Sequence, residues 1–363
     1  MRKNEDMIKT YIDKSICDAI LTVGCQYRPP KGGIAQVLST YDDYVYEDFK
    51  ICVNSGSGRT ISKWMYSIYG FYYFLIKMFT DRQVRIVHIH TASYNSFWRS
   101  ALYVRFARLF KKKVILHIHG GDFKNFYNES KEKVSAILDM CDCLITLSSS
   151  WKSYFESITK CRIVTVIENV VAPASLFQQE HKDSKLHMLY LGLITSEKGI
   201  FDLVDVLERY KDEYQGKVVL HIGGNGRTEI LCDRIVKGGL EDYIIYEGWV
   251  SGEKKKELLN NCDICILPSY AEGMPISLIE AMSYGQYVIA SNVGGIPELV
   301  SSKVGELHNP GDVVELKRLI DIAIENQDCI RRRRQEIRSH VAKYSPVSVA
   351  TKLNALYKQL LTD

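Results

Sequence analysis

The chain has 363 residues, enough for two domains of ordinary size and too many for one small one. Hydrophobic residues at 46% and charged residues at 25% are globular proportions, which excludes disordered, collagen-like and coiled-coil chains. A formal charge of +4 is too mild to mark a nucleic-acid binder, and the longest uncharged apolar-leaning run, residues 64–76, falls short of the about 20 that a bilayer span needs.

The N-terminus, Met1-Arg2-Lys3-Asn4-Glu5-Asp6, leads into mixed polar sequence without the apolar core of an export signal, so a cytoplasmic location is expected. From there short apolar runs alternate with amphipathic stretches. Strands are expected at residues 19–23, 50–53, 86–89, 114–118, 143–147 and 163–167, then at 188–191, 218–222, 243–246, 264–267 and 287–290. Nearly continuous apolar runs of this length suit parallel strands covered on both faces. Helices are expected between them, for example at 98–110 and 203–210, and a closing amphipathic helix at 347–361. Eleven strands are too many for one sheet, so two doubly wound α/β domains are predicted. The polar, aperiodic stretch 173–185 is the expected linker, giving domains at 1–178 and 179–345 followed by the segment 346–363.

Open α/β sheets bind ligands beyond the carboxyl ends of their strands, so the residues that follow each strand carry the functional reading. After the first strand, Gly32-Gly33 opens a helix, where backbone N–H groups can approach a phosphate or a sugar; a plain turn is the other reading. After the fourth comes His117-Ile118-His119-Gly120-Gly121. His119 is expected to enter the cleft, whereas His88 and His117 read as satisfied core residues. His88 and His90 repeat the spacing on the third strand, but no carboxylate accompanies the four imidazoles at ligand spacing, and no metal is expected. Cys141-Asp142-Cys143 and Cys262-Asp263-Ile264-Cys265 also lack a second pair, and read as buried thiols.

The second half opens with Gly192-Leu193-Ile194-Thr195-Ser196-Glu197-Lys198-Gly199, which sets an ammonium at a phosphate-friendly helix start. Gly223-Gly224-Asn225-Gly226 is another glycine turn after a strand. Neither it nor Gly56-Ser57-Gly58 completes a dinucleotide fingerprint, which disfavours nicotinamide binding. The richest stretch runs from Leu267 to Ala281. Pro275 is placed in the first turn of a helix, Glu272 lies just before it, and Glu280 sits about one and a half turns inside among small apolar neighbours. Dipole compensation by Glu272 and solvation of Glu280 are the bland readings.

Glu272 and Glu280, set in Pro-Ser-Tyr-Ala-Glu-Gly-Met-Pro, reproduce an E-x7-E pattern and resemble retaining glycosyltransferases of family 4. Gly32-Gly33, His119-Gly120, Lys198-Gly199, Gly223 to Gly226 and Gly294-Gly295-Ile296-Pro297-Glu298 fall in the family's order over nearly the whole chain. The resemblance implies a GT-B fold, two Rossmann-like domains facing across a cleft: an acceptor-side first domain, a nucleotide-sugar-binding second domain, and a final helix returning to the first. It implies that Gly32 and Gly33 lie against the donor diphosphate and sugar, and that Lys198 neutralises the diphosphate with N–H groups near Met274, Pro275 and Ile276. Gly192, Thr195, Gly224, Asn225 and Gly273 would line the donor. Glu280 would hold ribose hydroxyls, Glu272 sugar hydroxyls and backbone near Val250 the nucleobase, with His119 beside the anomeric centre and Asn169 on the hinge side. Many relatives carry Arg after the first of these glycines, where this chain has Leu193, so more of the charge falls to Lys198.

The activity implied is retaining, metal-independent transfer of a hexosyl-type sugar from a nucleoside-diphosphate sugar to a saccharide or lipid-linked saccharide, in bacterial polysaccharide biosynthesis, with no cofactor beyond that co-substrate. No D-x-D metal motif is present. A sugar-nucleotide epimerase and a noncatalytic nucleotide-sugar-binding subunit remain as alternatives. Residues 64–79 are rich in aromatics, and residues 98–113 add Arg99, Arg105, Arg108, Lys111, Lys112 and Lys113. Two readings stay open for them: sheet-covering helices with solvated basic edges, or peripheral contact with the inner face of a membrane. The Arg331–Arg334 run reads as a solvated helical segment.

Overall fold

The computed structural model describes residues 11–56, 60–176 and 183–362, with backbone alone over 60–64. The N-terminal hexapeptide, Ser57 and Gly58, residues 177–182 of the expected linker and the boundary between 178 and 179 lie outside the described residues. The chain forms two compact units, residues 1–172 with 343–363 and residues 173–342.

In the first unit, β1 (Ile20–Cys25), β2 (Ile51–Ser55), β3 (Ile86–Thr91), β4 (Lys113–Ile118), β5 (Cys143–Thr146) and β6 (Ile163–Val166) form a parallel sheet in the order β2-β1-β3-β4-β5-β6. In the second, β7 (Leu186–Leu191), β8 (Val218–Gly223), β9 (Ile244–Gly248), β10 (Ile264–Leu267), β11 (Tyr287–Ser291) and β12 (Gly305–His308) pair in parallel as β12-β11-β10-β7-β8-β9. Central strands such as β3, β5, β10 and β11 are buried along their whole length, as their apolar sequences require. β12 is the strand that the apolar runs did not announce. It lies at a sheet edge with its two middle residues half-buried, so Gly305-Glu306-Leu307-His308 needs no continuous apolar run.

The Gly33–Tyr44, Thr60–Thr80 and Asn95–Leu109 helices pack on the first sheet. Gly70 lets the second of them lie close to β2, because any Cβ there would strike the carbonyl oxygen of Val53. The Pro346–Thr362 helix completes the same unit. Its Lys352 pairs with Glu168 at 2.6 Å, and the Tyr357 hydroxyl meets the Nδ1 atom of His88 at 2.6 Å.

The second unit is tied by a buried ionic knot that corrects the reading of the arginine run. Asp263, fully buried at the start of β10, accepts from Arg331 through Nε and Nη2, both at 3.1 Å, and from the backbone N–H of His187 at 3.2 Å. Arg334 stands 3.6 Å from the same carboxylate and donates to the carbonyls of Asn260 and Cys262. Two of the four arginines are therefore structural cross-links from the Gln327–Arg332 and Arg334–His340 helices to the sheet. Asp263→Ala would leave those guanidiniums uncompensated, and we expect it to cost about 3 kcal/mol of unfolding free energy in urea titrations. A loss below about 1 kcal/mol would mean that the knot carries little of the unit's stability. Cys141, Cys143, Cys262 and Cys265 are all buried thiols.

Candidate functional site

Each sheet reverses its strand order once, and ligand sites of open α/β sheets lie beside such reversals. In the second unit the chain runs β7, β8, β9 to one side and then returns to place β10 on the other side of β7. The loops that follow β7 and β10 therefore flank the switch. They carry Gly192, Thr195 and Lys198 on one side, and Glu272, Gly273, Met274, Pro275 and Ile276 on the other. The loops after β8 and β9 add Gly224, Asn225 and Val250.

Lys198 ends a short 3-10 turn, Ser196–Lys198, whose start is flanked by Thr195 in extended conformation. Gly199 follows with φ +65°, and any Cβ there would collide with the carbonyl oxygen of Pro268. That close approach, with Tyr270 N–H donating to the Glu197 carbonyl at 2.9 Å, locks the two loops together. The Lys198 ammonium consequently reaches Glu272 Oε1 at 2.5 Å, and the buried Ser269 hydroxyl donates to the same oxygen at 2.8 Å. Both partners are largely sheltered, with Lys198 26% and Glu272 11% exposed in their side chains. Gly294 packs so tightly on the Glu272 carbonyl that no side chain fits there, and Gly295 N–H donates to the Gly273 carbonyl at 2.7 Å.

The glycines after β7 and β8 serve another close approach. Gly224 has no room for a Cβ against the Gly192 carbonyl, and Gly226, at φ +131°, none against that of Ile194. Ile194 N–H donates to the Asn225 carbonyl at 2.7 Å. Val250, just past β9, packs its side chain over Gly223. Leu193 is half exposed, and its carbonyl accepts from the Tyr190 hydroxyl at 2.7 Å.

Pro275 takes the position just before the Ile276–Ser283 helix, one residue outside the first turn where the sequence placed it. The first N–H groups of that helix have no acceptor within the helix itself. Glu280 is not a solvated helix residue. Both its oxygens meet the Lys255 ammonium, at 2.8 and 2.7 Å, and its side chain is 13% exposed. Lys255 was missed because Gly252-Glu253-Lys254-Lys255-Lys256-Glu257 reads as an ordinary solvated helix. Each acid of the Glu272/Glu280 pattern thus has a lysine partner.

In the first unit, Gly32 precedes the Gly33–Tyr44 helix at φ 100°, and nothing crowds its missing Cβ. Backbone conformation, rather than packing, is what calls for glycine there. His119 leaves β4 where Gly120 fits against Ser93. Its Nδ1 donates to Asn169 Oδ1 at 3.2 Å, which leaves Nε2 to accept from His90 Nδ1 at 2.9 Å. Asn169, named on the hinge side, is therefore a direct partner of His119.

His88 and His117 extend this into a ladder, with His88 Nε2 3.3 Å from His117 Nδ1, and Tyr357 and Tyr46 in series beyond His88. Burial holds all four imidazoles neutral, with His88 pushed down to about 3 and His119 to about 4; His90 and His117 move the same way. Nitrogens of His88, His90 and His117 lie within 4.8 Å of one another. None of the three is a carboxylate or thiolate, and burial disfavours the imidazolium form of each.

Two doubly wound parallel units, each with a glycine-opened loop at its switch point, define the GT-B class of α/β proteins. Residues 172–343, the extent of the second unit, match the family model described as glycosyl transferases group 1, which places that unit in the family. A Klebsiella pneumoniae protein encoded in the cps region is 24% identical over 80% of this chain and 87% of its own length. The lipopolysaccharide 1,6-galactosyltransferase of Salmonella typhimurium is 29% identical over 59% of this chain and 60% of that protein. Anabaena HepE in complex with UDP-glucose superposes with a TM-score of 0.71 at 16% identity, covering 94% of this chain and 99% of that one. Several other curated relatives are matched over only about a third to three-fifths of their own length, for example 31% and 53%.

Proposed function

We propose that this chain is a retaining, metal-independent glycosyltransferase that moves a hexosyl-type sugar from a nucleoside diphosphate to a saccharide or lipid-linked saccharide acceptor, in the assembly of a bacterial polysaccharide. The observation that carries the reading is the Lys198–Glu272 pair at the β7/β10 switch, beside the start of the Ile276–Ser283 helix. The solved complex of HepE with UDP-glucose and the galactosyltransferase relative support a nucleotide sugar as the donor.

In this mechanism the diphosphate competes with Glu272 for the Lys198 ammonium. Departure of the nucleoside diphosphate builds negative charge, which the ammonium and the helix N-terminus stabilise. Glu272, released from its cation, accepts hydrogen bonds from the sugar hydroxyls while Ser269 keeps the carboxylate in place. Glu280, already oriented by Lys255, accepts from the ribose. Gly224 and Asn225 shape the wall, and the backbone beside Val250 meets the base. His119, held neutral, would orient a sugar hydroxyl only by exchanging its His90 contact at Nε2 for that hydroxyl, and Gly32 and Gly33 would let backbone approach the sugar. No protein nucleophile is required: the acceptor hydroxyl attacks the face from which the diphosphate leaves, through an oxocarbenium-like species, and its proton passes to the departing phosphate oxygen.

Thermal-shift titration with UDP-, GDP- and ADP-sugars, followed by product analysis with saccharide acceptors, tests this. A donor at 100 times its Kd should stabilise the protein by about 2.7 kcal/mol, and the product should keep the donor's anomeric configuration. Conversion of the donor with no acceptor present would instead mark an epimerase, and donor binding without turnover on any acceptor a noncatalytic subunit.

A further inference from the structure

The Thr60–Thr80 helix has two different faces. Gly70, Phe74 and Met78 are buried against the first sheet. Met65, Ile68, Tyr69, Tyr72, Ile76 and Phe79 all point outward, within an arc of about 100° at the helical pitch. Four of them are exposed by 65% or more. The stripe spans about 20 Å at 1.5 Å per residue. At its end, Phe79 packs edge-on against Phe110 at 4.7 Å, and so joins the outer row of the Asn95–Leu109 helix, where Trp98, Leu102, Arg105 and Leu109 face out. Isolated exposed apolar residues need no explanation, but two adjoining apolar rows do.

Charge indicates what covers them. No Asp or Glu occurs in residues 60–80 or 95–113, whereas the second stretch carries Arg99, Arg105, Arg108, Lys111, Lys112 and Lys113. Of these cations Arg108 and Lys113 lie against Asp142, Lys112 donates to the Val84 carbonyl at 2.6 Å and Arg99 is half-buried, whereas Arg105 and Lys111 are exposed. An apolar ridge with interfacial tyrosines and these two cations on its border matches a surface that is apolar below and anionic above. We propose that this face docks the protein on the surface of an anionic lipid bilayer, with the Thr60–Thr80 helix lying in the plane of the headgroups. No described helix is long and apolar enough to cross a membrane, so the contact is peripheral. The inference rests on surface chemistry and is independent of the transferase reading.

Vesicle co-sedimentation tests it with the full chain. The protein should pellet with phosphatidylcholine vesicles containing 30% phosphatidylglycerol, hardly at all with pure phosphatidylcholine, and less at 0.5 M NaCl. Tyr72→Ser/Ile76→Ser/Phe79→Ser and, separately, Arg105→Glu/Lys111→Glu should each lower partitioning at least tenfold while keeping the wild-type melting transition and far-ultraviolet circular dichroism. Failure of the wild-type protein to bind anionic vesicles would overturn the proposal. So would undiminished binding by the melting-competent variants, or a concentration-dependent dimer by light scattering that the apolar variant abolishes without any vesicle binding. None of these outcomes bears on whether sugar transfer occurs.

Discussion

Lowering the pH from 7.5 to 5.5 is expected to destabilise the first unit steeply, with the fall beginning near pH 6.5. The ladder of His88, His90, His117 and His119 is the cause, since burial holds all four neutral when folded, and the neighbouring imidazoles add to it at His88, His90 and His117. An unfolded histidine takes up its proton near pH 6.5. Below that pH the unfolded chain binds more protons than the folded one, so stability present above 6.5 is lost as the pH falls. Each imidazole kept neutral contributes a loss of about 1.4 kcal/mol per pH unit until its folded pKa is reached. For His88 and His119 those limits are about 3 and about 4. Urea unfolding followed by tryptophan fluorescence at pH 7.5, 6.5 and 5.5 would show it. A free energy that stays flat down to pH 5, where carboxylates begin to titrate, would refute the neutral ladder.

Lys198→Ala is expected to lower kcat/KM by about 100-fold or more, the usual cost of removing a donor that meets charge as it develops. Leu193, where the family resemblance implies a second cation, carries no charge, so under the proposed mechanism Lys198 alone of these two positions would meet the diphosphate. The substitution also leaves Glu272 with Ser269 as its remaining donor of the pair, which costs stability. The double variant Lys198→Ala/Glu272→Gln separates the two effects: it should regain the melting temperature and stay inactive. Single-variant turnover within threefold of wild type would place stabilisation of the leaving group elsewhere.

Much of the fold could be read ahead of the structure, because eleven of the strands are short, nearly unbroken apolar runs. β12 escaped because an edge strand buried at its ends tolerates Glu306. The positions of Lys198 and Glu272 were legible from their place after strands. Their contact was not, since 74 residues separate them, and it takes the β7–β10 pairing, the Gly199–Pro268 approach and the Tyr270–Glu197 hydrogen bond to bring the loops together. Sequence spacing carried no sign of Lys255 either. The misreading of Arg331 and Arg334 has the same origin: four successive cations look solvated when their acid, Asp263, is 68 residues away and hidden among apolar neighbours. His119 was picked out correctly as a strand-end residue and grouped with His88, His90 and His117, but its pairing with Asn169 and His90 at the two ring nitrogens was not legible.

Tyr357 belongs to the helix that closes the first unit, although 170 residues of the second unit intervene between it and Ala172. On the ribosome, the first sheet emerges early, yet His88 and Tyr46 wait without their Tyr357 hydroxyl partner until translation reaches the final helix. The second unit, contiguous in the chain, can finish folding in the meantime. The order of maturation is thus inverted relative to the order of synthesis, and premature termination anywhere after the second unit would harm the half of the protein that was made first.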